Sequence, residues 1–378
     1  MIMKRILTCI ALLIGVFYGA NAADYRAVLV ADIDNGQVLY QENANQLNYP
    51  ASLTKIMTLY LTFDALEHKR LHLDDYLIVS QSAANAEPVK LGLSAGSKIK
   101  VEDAIKAVAV HSANDVARVL AENLKGGKEG NFADLMTRVA SEIGLQNTNF
   151  ENSSGLPNDD HMSTARDIAL LAVAVYKHFP QYWKYFGIKS WTYNGKTYTN
   201  SNRLLGTYPG CDGMKTGFTN KSKYSLVATA KRDGRHLIAV VLGAENKDVR
   251  ANVATKMLNL GFGKVSKSVP GIENKQNKVY IAAPTQNNPV VKYAQDYKAS
   301  KPVSYNSGTT GVQFGAFSSL DSAKNQVARV KNATGLNPVI EKNDSGLYRV
   351  RVNGLSESAA ANAKNSAVAN GIDCYIFH

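Results

Sequence analysis

A serine three residues before a lysine is the first arrangement in the chain that could do chemistry. It lies in Tyr49-Pro50-Ala51-Ser52-Leu53-Thr54-Lys55, and the apolar residues that follow recur at roughly helical spacing, which predicts a helix over about 52–66. Ser52 and Lys55 then share one face of its first turn. A serine hydroxyl becomes a nucleophile when a base takes its proton, and a partly desolvated lysine amine can act as that base. The helix N-terminus would add backbone N–H groups that favour oxyanion chemistry.

The same spacing also has an ordinary structural explanation. A serine can cap a helix N-terminus while a lysine one turn later is simply solvated. Ser97 and Lys100 repeat the spacing, and we attribute that repeat to chance. The motif therefore needs support from the rest of the chain.

Two further motifs follow in an informative order. Ser112-Ala113-Asn114 places a hydroxyl and an amide two residues apart, where helical patterns are interrupted. Lys215-Thr216-Gly217 lies in a predicted strand, where a cation and a hydroxyl could bind a substrate carboxylate and the glycine would let the substrate backbone approach. Turn chemistry or a solvated lysine would explain either motif alone. All three motifs in this order indicate one active site.

Other residues suggest competing chemistry. Gly92-Leu93-Ser94-Ala95-Gly96 matches the G-x-S-x-G nucleophile elbow, but that elbow requires a preceding strand and the partners Asp and then His downstream. His111 and His161 could suggest a Ser-His-Asp triad, and we assign loop or cap roles to both instead. Cys211 beside a predicted strand is interpreted as a small buried filler rather than a reactive thiol.

The pattern of elements predicts an α+β fold. Strand-like runs near both ends of the first 264 residues surround a mostly helical segment at 100–185, and this order implies an antiparallel sheet faced by helices, with a helical insert. The predicted strands are 26–33, 37–41, 211–217, 224–231 and 236–244, and a last helix covers about 247–260.

The N-terminal segment and the charge bear on location and partners. Residues 1–22 have a basic end, an apolar run and a small-residue cleavage site, which predicts a secretory signal. Loss of its two cations lowers the formal net charge from +12 to +10, which suits an anionic partner; export argues against nucleic acid. No later stretch approaches 18 apolar residues, so the mature chain is expected to have no transmembrane segment. Cys211 and Cys374 cannot make a disulfide framework, and no metal-ligand spacing occurs, so we expect neither metal nor cofactor.

Composition shifts near residue 264. Residues 265–310 are rich in Pro, Asn and Lys and are predicted to be a basic linker. A β-α-β-β-α-β pattern follows within 311–378 and predicts a small ferredoxin-like module. The expected organisation is therefore a signal peptide at 1–22, a catalytic domain at 23–264, the linker, and this module.

The three motifs together resemble the penicillin-recognising serine enzymes, with S-x-x-K, S-x-N and K-T-G in the order of that family. Within them, residues 24–264 resemble the low-molecular-weight D-alanyl-D-alanine carboxypeptidases of the peptidase S11 family. The resemblance implies a β-lactamase/transpeptidase-like fold. The additional matching segments are Ala51-Ser52-Leu53-Thr54-Lys55-Ile56-Met57, Gly155-Leu156-Pro157, His161-Met162-Ser163-Thr164-Ala165-Arg166-Asp167 and Asp212-Gly213-Met214.

The resemblance implies three catalytic roles. Ser52 is the nucleophile that attacks the carbonyl of the D-Ala-D-Ala bond, Lys55 is the general base, and Ser112 relays a proton to the leaving amine. It also implies acylation by β-lactam antibiotics, which mimic the same dipeptide.

The resemblance also implies substrate-binding roles. Asn114 holds the substrate amide, Lys215 and Thr216 recognise the terminal carboxylate, and Gly217 lies beside the bound peptide. The backbone N–H groups of the nucleophilic serine and of Phe218 form the oxyanion hole.

The C-terminal module resembles a SPOR domain. Val312-Gln313-Phe314-Gly315-Ala316-Phe317 and Tyr348-Arg349-Val350-Arg351-Val352 carry this resemblance, although Asn353-Gly354-Leu355 replaces a usual Gly-Pro-Phe. The family binds peptidoglycan glycan strands, which makes Gln313, Tyr348 and Arg351 candidate glycan-binding residues. The implied partners are peptidoglycan stem peptides and glycan strands, and the implied location is the periplasm or cell envelope, including the septum.

Three alternatives to a carboxypeptidase remain open. An endopeptidase that cuts D-Ala to diaminopimelate cross-links would use the same residues. A β-lactamase fits less well, because 152–167 contains no Glu-x-x-x-Asn pattern to activate a deacylating water. A non-catalytic wall-binding protein would require the intact triplet of motifs to be vestigial. Lys221-Ser222-Lys223-Tyr224-Ser225, in place of the family's small-residue segment, leaves substrate specificity open.

Overall fold

The computed structural model describes residues 24–263, 310–343, 346–355 and 357–377. The signal peptide predicted at 1–22 lies outside these residues, as does the linker predicted at 265–310 apart from Thr310. Among the described residues, every helix is too short or too polar to cross a lipid bilayer. The α+β class predicted for both parts of the chain is confirmed.

A five-stranded antiparallel sheet is the centre of the first part. Its strand order is β2-β1-β9-β8-β7, so β7 lies at one edge. The strands are β1 (Ala27–Asp32), β2 (Val38–Glu42), β7 (Cys211–Thr219), β8 (Lys223–Arg232) and β9 (Arg235–Ala244). The short pairs β3 (Tyr76–Ile78) with β4 (Lys98–Lys100), and β5 (Ser190–Tyr193) with β6 (Lys196–Thr199), were not predicted from the sequence.

Both faces of the sheet are covered by helices. Alternate residues of β1 point to opposite sides: Leu29 packs into the larger core with most of the helices, and Val30 packs into a second core beneath α7. Burial on both faces explains why the strands read as continuous apolar runs. The helices are α1 (Lys55–Glu67), α2 (Gln81–Ala84), α3 (Val101–Lys106), α4 (Asn114–Leu124), α5 (Glu129–Glu142), α6 (Ala165–His178) and α7 (Lys247–Gly261).

A 3₁₀ turn at Ala51–Thr54 leads directly into α1. Twelve of the thirteen residues of α1 are buried, because other helices and the sheet surround it. The loop from 152 to 163 packs onto this turn through Gly155. A β-carbon at Gly155 would lie 1.8 Å from the Ala51 carbonyl oxygen, and its φ is +80°. Only glycine permits this contact, which fixes the loop against the start of α1.

The C-terminal part is a separate small sheet with two helices. The strand order is β11-β12-β10-β13, and the β-α-β-β-α-β order predicted from the sequence is confirmed. Val312, Phe314 and Val350 point to the helices and form the core with them. The elements are β10 (Thr310–Phe317), α8 (Leu320–Thr334), β11 (Val339–Lys342), β12 (Tyr348–Leu355), α9 (Glu357–Ala369) and β13 (Tyr375–Phe377).

Gly155→Ala should destabilise the first domain by roughly 3 kcal/mol or more, because the left-handed backbone is strained and the new methyl group collides with a backbone carbonyl. Gly195→Ala is the matched control: its φ is +76°, but nothing lies within 4 Å of the added β-carbon. The control should lose only about 1 kcal/mol. Urea unfolding would measure both, and equal losses would contradict the importance of the Gly155 contact.

Candidate active site

Ser52 lies on the 3₁₀ turn, and Lys55 is the first residue of α1. The Lys55 side chain is fully buried, and its Nζ has three oxygen neighbours: Ser52 Oγ at 3.0 Å, Asn114 Oδ1 at 2.7 Å and the Ser154 carbonyl oxygen at 2.6 Å. These three neighbours come from the turn, from α4 and from the 152–163 loop. The structure therefore brings the first two motifs together.

The hydrogen-bond geometry determines where the lone pair of a neutral Lys55 amine would point. The Asn114 amide is oriented by its Nδ2, which donates to the carbonyl oxygens of Glu87 and Pro88 at 3.1 and 2.9 Å. Its Oδ1 and the Ser154 carbonyl can only accept. A neutral amine has two N–H donors for these two acceptors, and its lone pair is left for the Ser52 hydroxyl. This is the arrangement that a general base requires.

Burial is the largest cause that lowers the pKa of Lys55 well below its ordinary value. The positive charge of Lys215 acts in the same direction, whereas the carboxylates of Glu129 and Asp115 act in the opposite direction. The neutral, proton-accepting form of the amine is therefore favoured at lower pH than for a solvated lysine.

Ser112 lies between a π-helical turn at Ala107–His111 and α4, with φ +64°. This left-handed conformation is unusual for serine and ends the preceding helical turn. Its Oγ accepts a hydrogen bond from Lys215 Nζ at 2.9 Å. The structure thus joins the second motif to the third, as the sequence predicted.

Lys215 is buried on edge strand β7, and its Nζ also donates to the Thr216 carbonyl at 3.1 Å. Burial, followed by the charge of Arg250, lowers the pKa of Lys215 to about 7. Arg250, on α7, was missed in the sequence because nothing in the spacing connects it to the motif. Its Nε is buried, and no described residue accepts a hydrogen bond from it. Two buried cations of this kind form a region suited to a carboxylate.

Thr216, Gly217 and Phe218 continue β7 along the edge of the sheet. Thr216 is buried, whereas Phe218 is 47% exposed and its ring lies 4.3 Å from that of Tyr224. A β-carbon at Gly217 would lie 3.0 Å from the Pro50 carbonyl oxygen. The sequence analysis attributed this glycine to the approach of a substrate; the structure shows a close approach of β7 to the turn that carries Ser52.

His161 also contacts the serine turn, in a role that the sequence did not identify. Its Nδ1 accepts a hydrogen bond from the Glu151 backbone N–H at 3.2 Å, so its Nε2 carries the proton and donates to Thr54 Oγ1 at 2.8 Å. Burial and then the charge of Lys55 lower the pKa of His161 to about 3. A neutral histidine thus supports the turn, in agreement with the predicted cap role.

The remaining candidates lie away from this chemistry. Ser94 is exposed in a turn followed by β4, and its carbonyl accepts a hydrogen bond from Ser97 Oγ, so the strand–turn–helix of a nucleophile elbow is not formed. His111 packs against the Tyr198 ring at 4.4 Å. Cys211 and Cys374 are both free thiols. Burial raises the pKa of Cys211 to about 11, which agrees with a filler rather than a reactive thiol.

The predicted glycan-binding residues of the C-terminal sheet do not share one face. Gln313 and Arg351 are cross-strand partners, and Gln313 Oε1 accepts a hydrogen bond from Arg351 Nε at 2.5 Å on the face away from the helices. Tyr348 alternates with Val350 onto the opposite face, where it packs against the core. The structure therefore leaves Gln313 and Arg351 as the candidate pair.

Comparison with known proteins identifies both parts of the chain. Residues 19–246 match the peptidase S11 family, described as D-alanyl-D-alanine carboxypeptidase, and residues 306–377 match the SPOR domain. D-alanyl-D-alanine carboxypeptidase DacF of Bacillus subtilis is 36% identical over 246 residues, which cover 64% of this chain and 63% of the relative. The match therefore spans less than two thirds of that relative's length.

Solved structures show the same fold for the first part. Penicillin-binding protein 5 from Haemophilus influenzae has a TM-score of 0.62 and 33% identity, covering 64% of this chain and 71% of that one. Penicillin-binding protein D2 from Listeria monocytogenes, in an ampicillin-bound form, has a TM-score of 0.58 and 31% identity, covering 63% and 97%. The predicted β-lactamase/transpeptidase-like fold is confirmed.

Lys215→Met should increase the free energy of unfolding by on the order of 3 kcal/mol at pH 6, because a buried charge is removed. Below pH 7 this lysine is protonated in both the folded and unfolded states. Between pH 7 and about 10.5 only the unfolded state binds the proton, so wild-type stability rises with pH and the advantage of the variant shrinks. Urea unfolding at pH 6 and pH 10 would measure this. The exposed Lys98→Met should show no such trend, and a pH-independent advantage for Lys215→Met would contradict the low pKa.

Proposed function

Because the chain belongs to the peptidase S11 family of D-alanyl-D-alanine carboxypeptidases and carries a SPOR domain, we propose that it removes the terminal D-alanine from peptidoglycan stem peptides. The observation that carries this proposal is the pair of buried lysines: Lys55 beside the Ser52 hydroxyl, and Lys215 beside Ser112 and the sheet edge. One supplies a base, and the other supplies a site for a carboxylate.

In the proposed acylation step, Ser52 Oγ attacks the carbonyl carbon of the D-Ala-D-Ala bond and its proton passes to Lys55 Nζ. The C–N bond then breaks, and the amine of the terminal D-alanine leaves with a proton delivered through Ser112. A water molecule next attacks the Ser52 ester and gives its proton to Lys55, and Ser52 Oγ recovers a proton as the shortened peptide leaves. Backbone N–H groups of Ser52 and Phe218 stabilise the oxyanion in both steps.

The terminal carboxylate is held by Lys215 and Thr216 at the edge of β7, with Arg250 adding a second buried positive charge. A desolvated carboxylate beside a cation forms a strong charge-assisted hydrogen bond, and binding also stabilises the protonated form of Lys215. Asn114 holds the substrate amide and Gly217 lies beside the peptide. The free edge of β7 offers backbone groups to an extended substrate.

The D-Ala-diaminopimelate endopeptidase reading uses the same residues and differs in what lies beyond the scissile bond. An endopeptidase substrate also presents a carboxylate next to the cut bond, so the anchor alone does not separate the two activities. We favour the carboxypeptidase because the family match carries that description. The released fragment distinguishes them.

The C-terminal module is proposed to hold the enzyme on the cell wall. Gln313 and Arg351 form a polar pair on the helix-free face of its sheet, which suits a polymer rich in hydroxyl and amide groups. A secretory signal at 1–22, a catalytic domain at 23–264, a basic linker at 265–310 and a SPOR domain at 311–378 would place the enzyme in the periplasm or cell envelope, including the septum. Tethering would raise the effective concentration of stem peptides near the site.

Incubation of the purified chain with muropeptides is the decisive experiment. We expect pentapeptides to lose one D-alanine, because the D-Ala-D-Ala bond is the one placed at Ser52. Mass spectrometry of the products would measure this. Cleavage of cross-linked dimers without loss of the terminal D-alanine would favour the endopeptidase, and no change in either substrate would favour the non-catalytic alternative.

Ser52→Ala should abolish covalent labelling by a fluorescent penicillin, whereas Ser94→Ala, in an exposed turn, should label normally. Lys55→Ala should slow labelling by about 100-fold or more, since general-base assistance typically contributes that much. Gel fluorescence over time would measure these rates. Labelling that survives Ser52→Ala would show that another residue is the nucleophile.

Arg351→Gln in the full chain should weaken binding to intact wall sacculi by about 10-fold, because a charged hydrogen-bond donor is lost. Lys324→Gln is the matched control, since this exposed lysine lies on α8 away from that face. Cosedimentation with sacculi would measure the affinities. Equal binding by Arg351→Gln and the wild type would remove Arg351 from the proposed glycan site.

A further inference from the structure

Glu129 is the first residue of α5, and its carboxylate holds the 152–163 loop. Oε1 accepts hydrogen bonds from the Ser153 backbone N–H at 3.0 Å and from Ser153 Oγ at 2.6 Å. Oε2 accepts from Arg118 Nε at 2.6 Å. The Glu129 side chain is 15% exposed, so these bonds are largely shielded from water. Both carboxylate oxygens are therefore used to fix the loop to α5 and α4.

The segment that Glu129 holds is the one that contacts the proposed base. The Ser153 carbonyl accepts from Thr58 Oγ1 at 2.6 Å, and the next carbonyl, that of Ser154, accepts from Lys55 Nζ at 2.6 Å. Thr58 and Lys55 are successive positions on one side of α1. The chain of contacts from Glu129 to Lys55 thus passes through a single peptide unit, so a shift of Ser153 would move an acceptor of the Lys55 amine.

Glu129 also contributes charge to the same site. The charged groups that act on Lys55 are Lys215 on β7, Glu129 on α5 and Asp115 on α4, and Lys55 itself acts on the buried ring of His161. Asp115 is already engaged, because it accepts the backbone N–H groups of Leu91 and Gly92 at 3.1 and 2.9 Å. Of the two carboxylates, Glu129 is the one that combines charge with a hold on a Lys55 hydrogen-bond partner.

We propose that Glu129 is a positioning residue for Lys55: it fixes the Ser154 carbonyl that orients the amine, and its charge sets the pH range over which the amine can accept the Ser52 proton. The inference rests on the proposed function, in which Lys55 is the general base. It adds a residue outside the three motifs that controls when that base is active.

The test is the pH dependence of acylation by a fluorescent penicillin. In Glu129→Gln the maximal rate should fall roughly 10-fold, because a misplaced catalytic group costs one to two orders of magnitude. The acid limb should also move to lower pH, because a lost negative charge makes Lys55 easier to deprotonate. Glu129→Asp keeps the charge but shortens the reach, so its rate should fall while its acid limb stays with that of the wild type.

Glu122→Gln is the matched control, because Glu122 is another buried carboxylate nearby on α4 whose bond goes to Ser80 instead of the loop. It should reproduce the wild-type profile. An unshifted acid limb in Glu129→Gln, or the same profile in Glu122→Gln, would overturn the inference. If Glu129→Gln does not fold, Ser153→Ala decides: a lower rate with an unshifted limb supports the inference, and a wild-type rate overturns it. Wild-type protein that is not acylated at all would instead overturn the proposed function.

Discussion

Two lysine amines, Lys55 and Lys215, are buried in the same site, and no described carboxylate forms a hydrogen bond or ion pair with either. Burying an unpaired cation is costly, and proteins reduce this cost by losing the proton or by binding an anion. Here both outcomes are useful. A neutral Lys55 can take a proton from Ser52, and a protonated Lys215 gains a counter-ion only when an anionic ligand arrives.

The fold supports this unfavourable arrangement by fixing each amine with neutral oxygens from several elements. Asn114, Ser154 and Ser52 surround Lys55, while Ser112 and the Thr216 carbonyl neighbour Lys215. These partners lie on α4, a loop, a 3₁₀ turn and an edge strand, all backed by a sheet that is buried on both faces. A rigid frame is needed because neutral acceptors stabilise a cation less than a carboxylate would.

The sequence predicted the parts of the site that are local. The spacing from Ser52 to Lys55 and the short motifs around Ser112 and Lys215 follow from the geometry of one turn or one strand, and the alternation of apolar residues predicted the main strands. Glu129, His161 and Arg250 were not assigned to the site, because their contacts depend on how distant elements pack. Tyr348 was grouped with Gln313 and Arg351 on residue type, and the strand register separated them. Residues 1–22 and 265–310 lie outside what the structure tests, Thr310 apart.

The hydrogen bonds of the site join residues that are far apart along the chain: Lys55 to Asn114 across 59 positions, Lys55 to Ser154 across 99, and Lys215 to Ser112 across 103. Contacts of such long range form only after large loops have closed, so they belong to the late stages of folding. The reactive serine therefore acquires its base only when helices and sheet have docked. Intermediates remain chemically silent, and covalent modification of the serine becomes a count of native molecules.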